Sequence, residues 1–218
     1  MFPLLRNIPG KTFNLSVTLG DTFKYIITYF RKEIFGNIVL KYDKNGRLCD
    51  SKRNCKNEDI AHTINQTLWP DHCVKNTLDS QLSTQLDYRE SDIFIKKGFN
   101  CEIDSYSTFY DNGGFEKTEL HDRLQEAGVD TLYVSGLALD YCVFWSAMDA
   151  ARLNYKTYVI LDATRSITPE GVATAVQSMV ESGIKLVNAN DIMNGQVYSL
   201  PSTLLILTCM VILKYTNL

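Results

Sequence analysis

From Asp92 onward the chain alternates short apolar runs with amphipathic ones, and that alternation limits the fold more than any other feature. Asp92-Ile-Phe-Ile-Lys-Lys97 reads as a strand closing at Gly98. Thr118 to Ala127 reads as a helix with Leu120, Leu124 and Ala127 on one face and Gly128 as its stop. Thr131 to Ser135 is the next strand, Cys142 to Asn154 a helix with Val143, Ala147 and Ala150 on one stripe, and Lys156 to Asp162 another strand. Thr168-Pro169-Glu170 supplies an N-cap, a first-turn proline and a first-turn acid; Val172, Val176, Met179 and Val180 give that helix its apolar face. Gly183 ends the helix and Ile184 to Asn188 forms a last strand. Strands and helices at this spacing predict parallel crossover units, hence an α/β fold of three layers, α/β/α, around a central parallel sheet. In such sheets ligands meet the carboxyl ends of the strands, the edge to which Lys97 and Cys142 both fall.

Cys142 is the first candidate for covalent chemistry. It follows an apolar strand and the turn Gly136-Leu-Ala-Leu-Asp140, at a predicted helix start, where backbone N–H groups favour a thiolate. The competing reading of such a residue is a small buried hydrophobe under the sheet. Asp140, two residues earlier, reads as a structural residue that hydrogen-bonds backbone at the turn.

A hydrophobic fraction of 45%, a charged fraction of 22% and a net charge of −3 over 218 residues bound the chain to an ordinary globular class. With no Lys/Arg block or basic stripe, nucleic-acid binding is not expected. The six cysteines form no CxxC pair, and the N-terminus lacks signal-peptide character, which points to a reducing, cytoplasmic setting.

The other chemistry-bearing cluster is Leu68-Trp69-Pro70-Asp71-His72-Cys73-Val-Lys-Asn-Thr77. Trp69 offers a flat surface for an aromatic substrate, and His72 a neutral imidazole for a metal. Taken alone, one loop histidine is more often a surface residue, since a metal site needs several ligands and the chain has three histidines.

Three motifs then stand in one order: Trp69-Pro-Asp-His-Cys73; Lys97-Gly98 followed by Asp104-Ser-Tyr106-Ser-Thr-Phe109-Tyr-Asp111-Asn112; and Gly136-Leu-Ala-Leu-Asp-Tyr-Cys142-Val. Together they make the chain resemble the nicotinamidase/pyrazinamidase branch of the isochorismatase-like cysteine hydrolases, over roughly Leu68 to Asn190. The resemblance implies a hydrolase converting nicotinamide to nicotinate and ammonia in NAD salvage, with Cys142 attacking the carboxamide carbon and water resolving the thioester. Lys97 would then sit beside the thiol, Trp69 and Tyr106 would line the pyridine pocket, and the backbone N–H groups of Ala138 and Cys142 would form the oxyanion hole. The peptide bond before Ala138 is cis in that family. His72 would match a ligand of a divalent metal, zinc first, with iron or manganese as alternatives. A homo-oligomer is compatible with the sequence. Hydrolysis of another small amide, or of isochorismate, is the nearest alternative, and a catalytically silent isoform is the other.

The expected domain limits are 1–60 for a divergent N-terminal segment, 61–192 for the isochorismatase-like hydrolase domain and 193–218 for an apolar tail. Members of the resembling family open on a strand ending in the general-base aspartate and later carry an Asp-Trp-His-Pro segment with two further metal ligands. Neither pattern occurs here, so the first strand of the sheet is expected to be divergent or missing, whether through truncation, splicing or loss of activity. Asp43 does end an apolar run, but Asn45-Gly46 marks a hairpin there and leaves little room for the absent elements. In the tail, the apolar stretch Leu204 to Leu213 is shorter than the roughly 20 residues that span a bilayer. A weak membrane anchor, a buried strand and a translated non-coding tail all fit it.

Overall fold

The computed structural model describes residues 11–19, 37–50, 55–69, 92–100, 102–193 and 203–209, with side chains outside 11–19 and 203–209. Its elements in chain order are β1 (Lys11–Leu19), β2 (Asn37–Asp43), β3 (Ile60–Thr67), β4 (Ile93–Lys97), α1 (Leu120–Glu126), β5 (Thr131–Leu137), α2 (Phe144–Arg152), β6 (Lys156–Arg165), α3 (Pro169–Glu181), β7 (Lys185–Val187), α4 (Ala189–Met193) and β8 (Thr203–Cys209). A π-helical turn, Leu139–Val143, leads into α2.

The main sheet runs β4-β1-β8-β5-β6-β7 and all its pairings are parallel. Parallel strands covered on both faces read as continuous apolar runs, which is why β5 is buried from Thr131 through Gly136. Side chains on alternate β5 positions serve different layers. Leu132 and Val134 join Leu120 and Leu124 of α1, Ala147 and Ala150 of α2, and Ala175 and Met179 of α3. Tyr133 packs instead with Tyr158, Ile160, Ala189 and Ile192 beneath α4. The predicted three layers are therefore present. The helix expected from Cys142 is displaced: α2 begins at Phe144, with Cys142 inside the preceding π-helical turn.

One expectation is corrected at the N-terminal side. The sheet does not lack a strand from that region: Lys11–Leu19 lies next to β4, with Leu19 in register with Lys97. The apolar tail resolves in favour of the strand reading, since Thr203–Cys209 sits between β1 and β5 with Cys209 in register with Gly136. Among the described residues no helix is long and apolar enough to cross a membrane.

Asn45-Gly46 marks a turn after β2, and Gly46 has φ 72, a conformation that glycine adopts without Cβ strain. β2 pairs antiparallel with β3 in a separate two-stranded sheet. Asp43 is a turn residue: its carboxylate accepts from Asn45 N at 2.8 Å, Arg47 N at 3.1 Å and Arg47 Nε at 2.8 Å. The Arg47 N–H, helped by its guanidinium, holds that carboxyl below the usual aspartate range. The thiols are also not all unpaired, because Cys49 and Cys55 form a disulfide just beyond this turn. Leu40, Tyr42 and Leu68 of this region pack with Ile103 and Phe115, seating the small sheet against the 102–115 loop.

Candidate active site

Lys97 ends β4 and Gly98, at φ 73, turns the chain away, so the lysine side chain stays inside at 2% exposure. A buried ammonium requires partners. Lys97 Nζ donates to the carbonyl oxygens of Ser105 and Tyr106, and its distance to Cys142 Sγ is 3.6 Å. With two of its three N–H groups on carbonyls, the third is left for the sulfur.

Cys142 is 5% exposed, below the carboxyl end of β5. Burial pushes its thiol up from the ordinary value and the Asp104 carboxylate adds to that; the Lys97 charge and hydrogen bonds from Lys97 and the Ala138 backbone N–H act against it. The Leu137–Ala138 peptide bond is cis, as the resemblance implies. Asp140 ties this turn to the loop before α3, its carboxylate accepting from Ile167 N at 3.0 Å and Thr168 N at 3.1 Å. Thr168 Oγ1 in turn accepts from Gly171 N at 3.0 Å and caps α3.

An aromatic group gathers around Tyr141, the residue before Cys142. The Trp69 ring meets Tyr141 edge-on at 4.7 Å, Tyr106 meets Tyr141 at 5.3 Å, and Trp69 Nε1 donates to the Tyr106 hydroxyl at 3.1 Å. Burial, then the Asp104 charge, keeps the Tyr106 phenol protonated well above its ordinary range. Cys142, Lys97, Ala138, Trp69 and Tyr106 thus converge on one edge of the sheet. His72 lies outside the described residues. Among the described residues no group of three His, Cys, Asp or Glu side chains is arranged to hold a metal ion.

Residues 51–191 match the isochorismatase domain. The chain belongs to that family. A nicotinamidase of Acinetobacter baylyi is 40% identical over 129 residues, which cover 59% of this chain and 60% of the relative. The chain spans about three fifths of the length of the curated relatives it matches. A solved nicotinamidase/pyrazinamidase of Acinetobacter baumanii superposes with a TM-score of 0.64 at 30% identity, covering 83% of this chain and 77% of that one. A pyrazinamidase of Pyrococcus horikoshii, solved in complex with zinc, shares the fold at 24% identity and a TM-score of 0.50, covering 80% of this chain and 98% of the other.

Three site residues escaped the sequence reading as functional candidates. Tyr141 had only its place immediately before Cys142 to mark it. Asn112 stood only as the end of the Asp104–Asn112 motif and Gln66 was an unremarkable amide, yet Gln66 Nε2 reaches both Asp104 Oδ2 at 3.1 Å and the Tyr106 hydroxyl at 3.0 Å, while Asn112 Nδ2 donates to Gln66 Oε1 at 3.3 Å. Polar side chains meeting across 40 or more positions of sequence leave no local signal.

Proposed function

We propose that the protein hydrolyses nicotinamide to nicotinate and ammonia through a thioester on Cys142, and so serves NAD salvage. The observation carrying this reading is the buried Lys97 Nζ at 3.6 Å from Cys142 Sγ. The sulfur, as thiolate, forms a bond to the carboxamide carbon and the carbonyl electron pair moves onto oxygen. When that pair returns, the C–N bond breaks and the nitrogen, having taken up the proton the thiol gave up, leaves as ammonia. Water then adds to the thioester, the C–S bond breaks, and nicotinate departs as the thiol is restored. Lys97 stabilises the thiolate, and the N–H groups of Ala138 and Cys142 meet the oxygen on which charge develops. Trp69 lines the pocket for the flat pyridine, with Tyr106 beside it.

A divalent metal belongs to the same reading, with His72 as a ligand and zinc as the first choice, supported by the resemblance and by the zinc bound to the archaeal pyrazinamidase. The test is ammonia release from nicotinamide by the purified chain supplied with divalent metal, beside a Cys142→Ala control. Turnover that the substitution abolishes supports the reading, and none from a folded chain rejects it. The silent-isoform reading is favoured by the lack of the family's general-base aspartate pattern in the sequence and by the burial that opposes ionisation of Cys142. It predicts nicotinamide binding without product.

A further inference from the structure

We propose that Gln66 is a positioning residue for the Lys97–Cys142 pair, clamping from β3 the loop whose carbonyls aim the lysine at the sulfur. The inference deepens the reading of Cys142 as nucleophile and rests on it.

Lys97 points at Cys142 because Ser105 O and Tyr106 O hold its ammonium. Those carbonyls belong to a stretch, residues 102–109, with no helix or strand of its own, so neighbouring side chains must fix it. Asp104 Oδ1 accepts from Ser105 N at 2.7 Å, and Asn112 Oδ1 from Tyr106 N at 2.9 Å. Both are held in turn by Gln66, 1% exposed on β3. Its Nε2 lies 3.1 Å from Asp104 Oδ2 and 3.0 Å from the Tyr106 hydroxyl, and its Oε1 accepts from Asn112 Nδ2 at 3.3 Å. One buried amide therefore grips the loop at residues 104, 106 and 112, on both sides of the carbonyls that hold Lys97. The Nε2 also lies 2.8 Å from Thr67 O, so two hydrogens serve three acceptors and none is spare. The small sheet, seated on this loop through Tyr42, Leu68 and Ile103, is the rigid body from which the clamp acts.

The test compares Gln66→Met, similar in size but without the amide, and Asn112→Ala, which opens the clamp from the loop side. Neither changes a charge, so a change in thiol reactivity reports geometry. Cys142 alkylation by iodoacetamide at neutral pH, followed on its own peptide by mass spectrometry, reads the Lys97–Cys142 pair without nicotinamide. Each variant is expected to slow alkylation and kcat in parallel by roughly tenfold, the worth of one charge-assisted hydrogen bond. The double variant is expected to be no slower than the slower single. A lower melting temperature with alkylation and kcat unchanged would make Gln66 merely structural and overturn the proposal. So would an effect confined to KM, or additive effects of the two changes. If Gln66→Met does not fold, Gln66→Leu, which also lacks the amide, decides by the same criteria. If the parent chain releases no ammonia, the proposed activity fails, while the alkylation comparison still decides the role of Gln66.

Discussion

Replacing Lys97 with Met keeps the unbranched stem in its buried slot and removes the ammonium that faces Cys142 Sγ at 3.6 Å. Two unit charges at that separation attract by about 4–5 kcal/mol at an effective dielectric of about 20. Burial already pushes the Cys142 thiol up, and Lys97 is the largest influence opposing it. Without the cation the thiol protonates more readily, so the midpoint of its reactivity moves upward. The assay is iodoacetamide alkylation of the Cys142 peptide across a pH series, parent against Lys97→Met, with circular dichroism to confirm folding. At neutral pH, losing an attraction of that size corresponds to at most about a thousandfold less reactive thiolate. A midpoint that stays within half a unit of the parent, or moves down, would refute the claim that Lys97 supports the thiolate.

Two further outcomes follow from the same contacts. Asp140→Ala removes the carboxylate that accepts from Ile167 N and Thr168 N, and is expected to cost about 1–3 kcal/mol in chemical denaturation. Gly171→Ala should act in the same direction, because a Cβ there would lie 2.8 Å from Asp140 Cβ and 2.9 Å from Thr168 Oγ1; a variant as stable as the parent would show that this turn yields freely. Alkaline pH should also destabilise the fold. Burial, with a contribution from Tyr158, pushes Tyr133 up to about 12, and burial followed by the Asp104 charge holds Tyr42 and Tyr106 higher still. Raised folded-state values mean that the protonated phenols favour the native state, a contribution fully present below the unfolded tyrosine value of about 10 and lost as pH rises toward about 12. Melting temperatures measured across that window should fall; a flat profile would contradict the burial of these phenols.

The central half of the chain declares itself through periodicity. Leu120 and Leu124, or Ala147 and Ala150, recur at helical spacing because one face of each helix must leave water, and all four are buried where that rule puts them. Thr168-Pro169 marks its helix start because the cap is a local event between Thr168 and Gly171. The start of α2 departs from the expected position because a π-helical turn closes a longer hydrogen-bonded ring than the α pattern, and Cys142 falls two residues before α2. The flanking strands were harder. Lys11–Leu19 and Thr203–Cys209 pair with each other across nearly the whole chain, and such non-local pairing leaves no mark in either segment. The Cys49–Cys55 bridge has spacing outside the usual CxxC signature, so it was passed over. At the site, Lys97 and Cys142 were legible as strand-edge residues, whereas Gln66 acquires its importance only where β3 meets the 102–112 loop.

The account stands most directly on the thioester at Cys142. Hydroxylamine intercepts thioesters, so nicotinamide turnover in its presence should divide between nicotinate and nicotinohydroxamic acid while ammonia release continues, and both products should vanish in Cys142→Ala. Nicotinate formed with no hydroxamate, or hydroxamate that persists in Cys142→Ala, would contradict it.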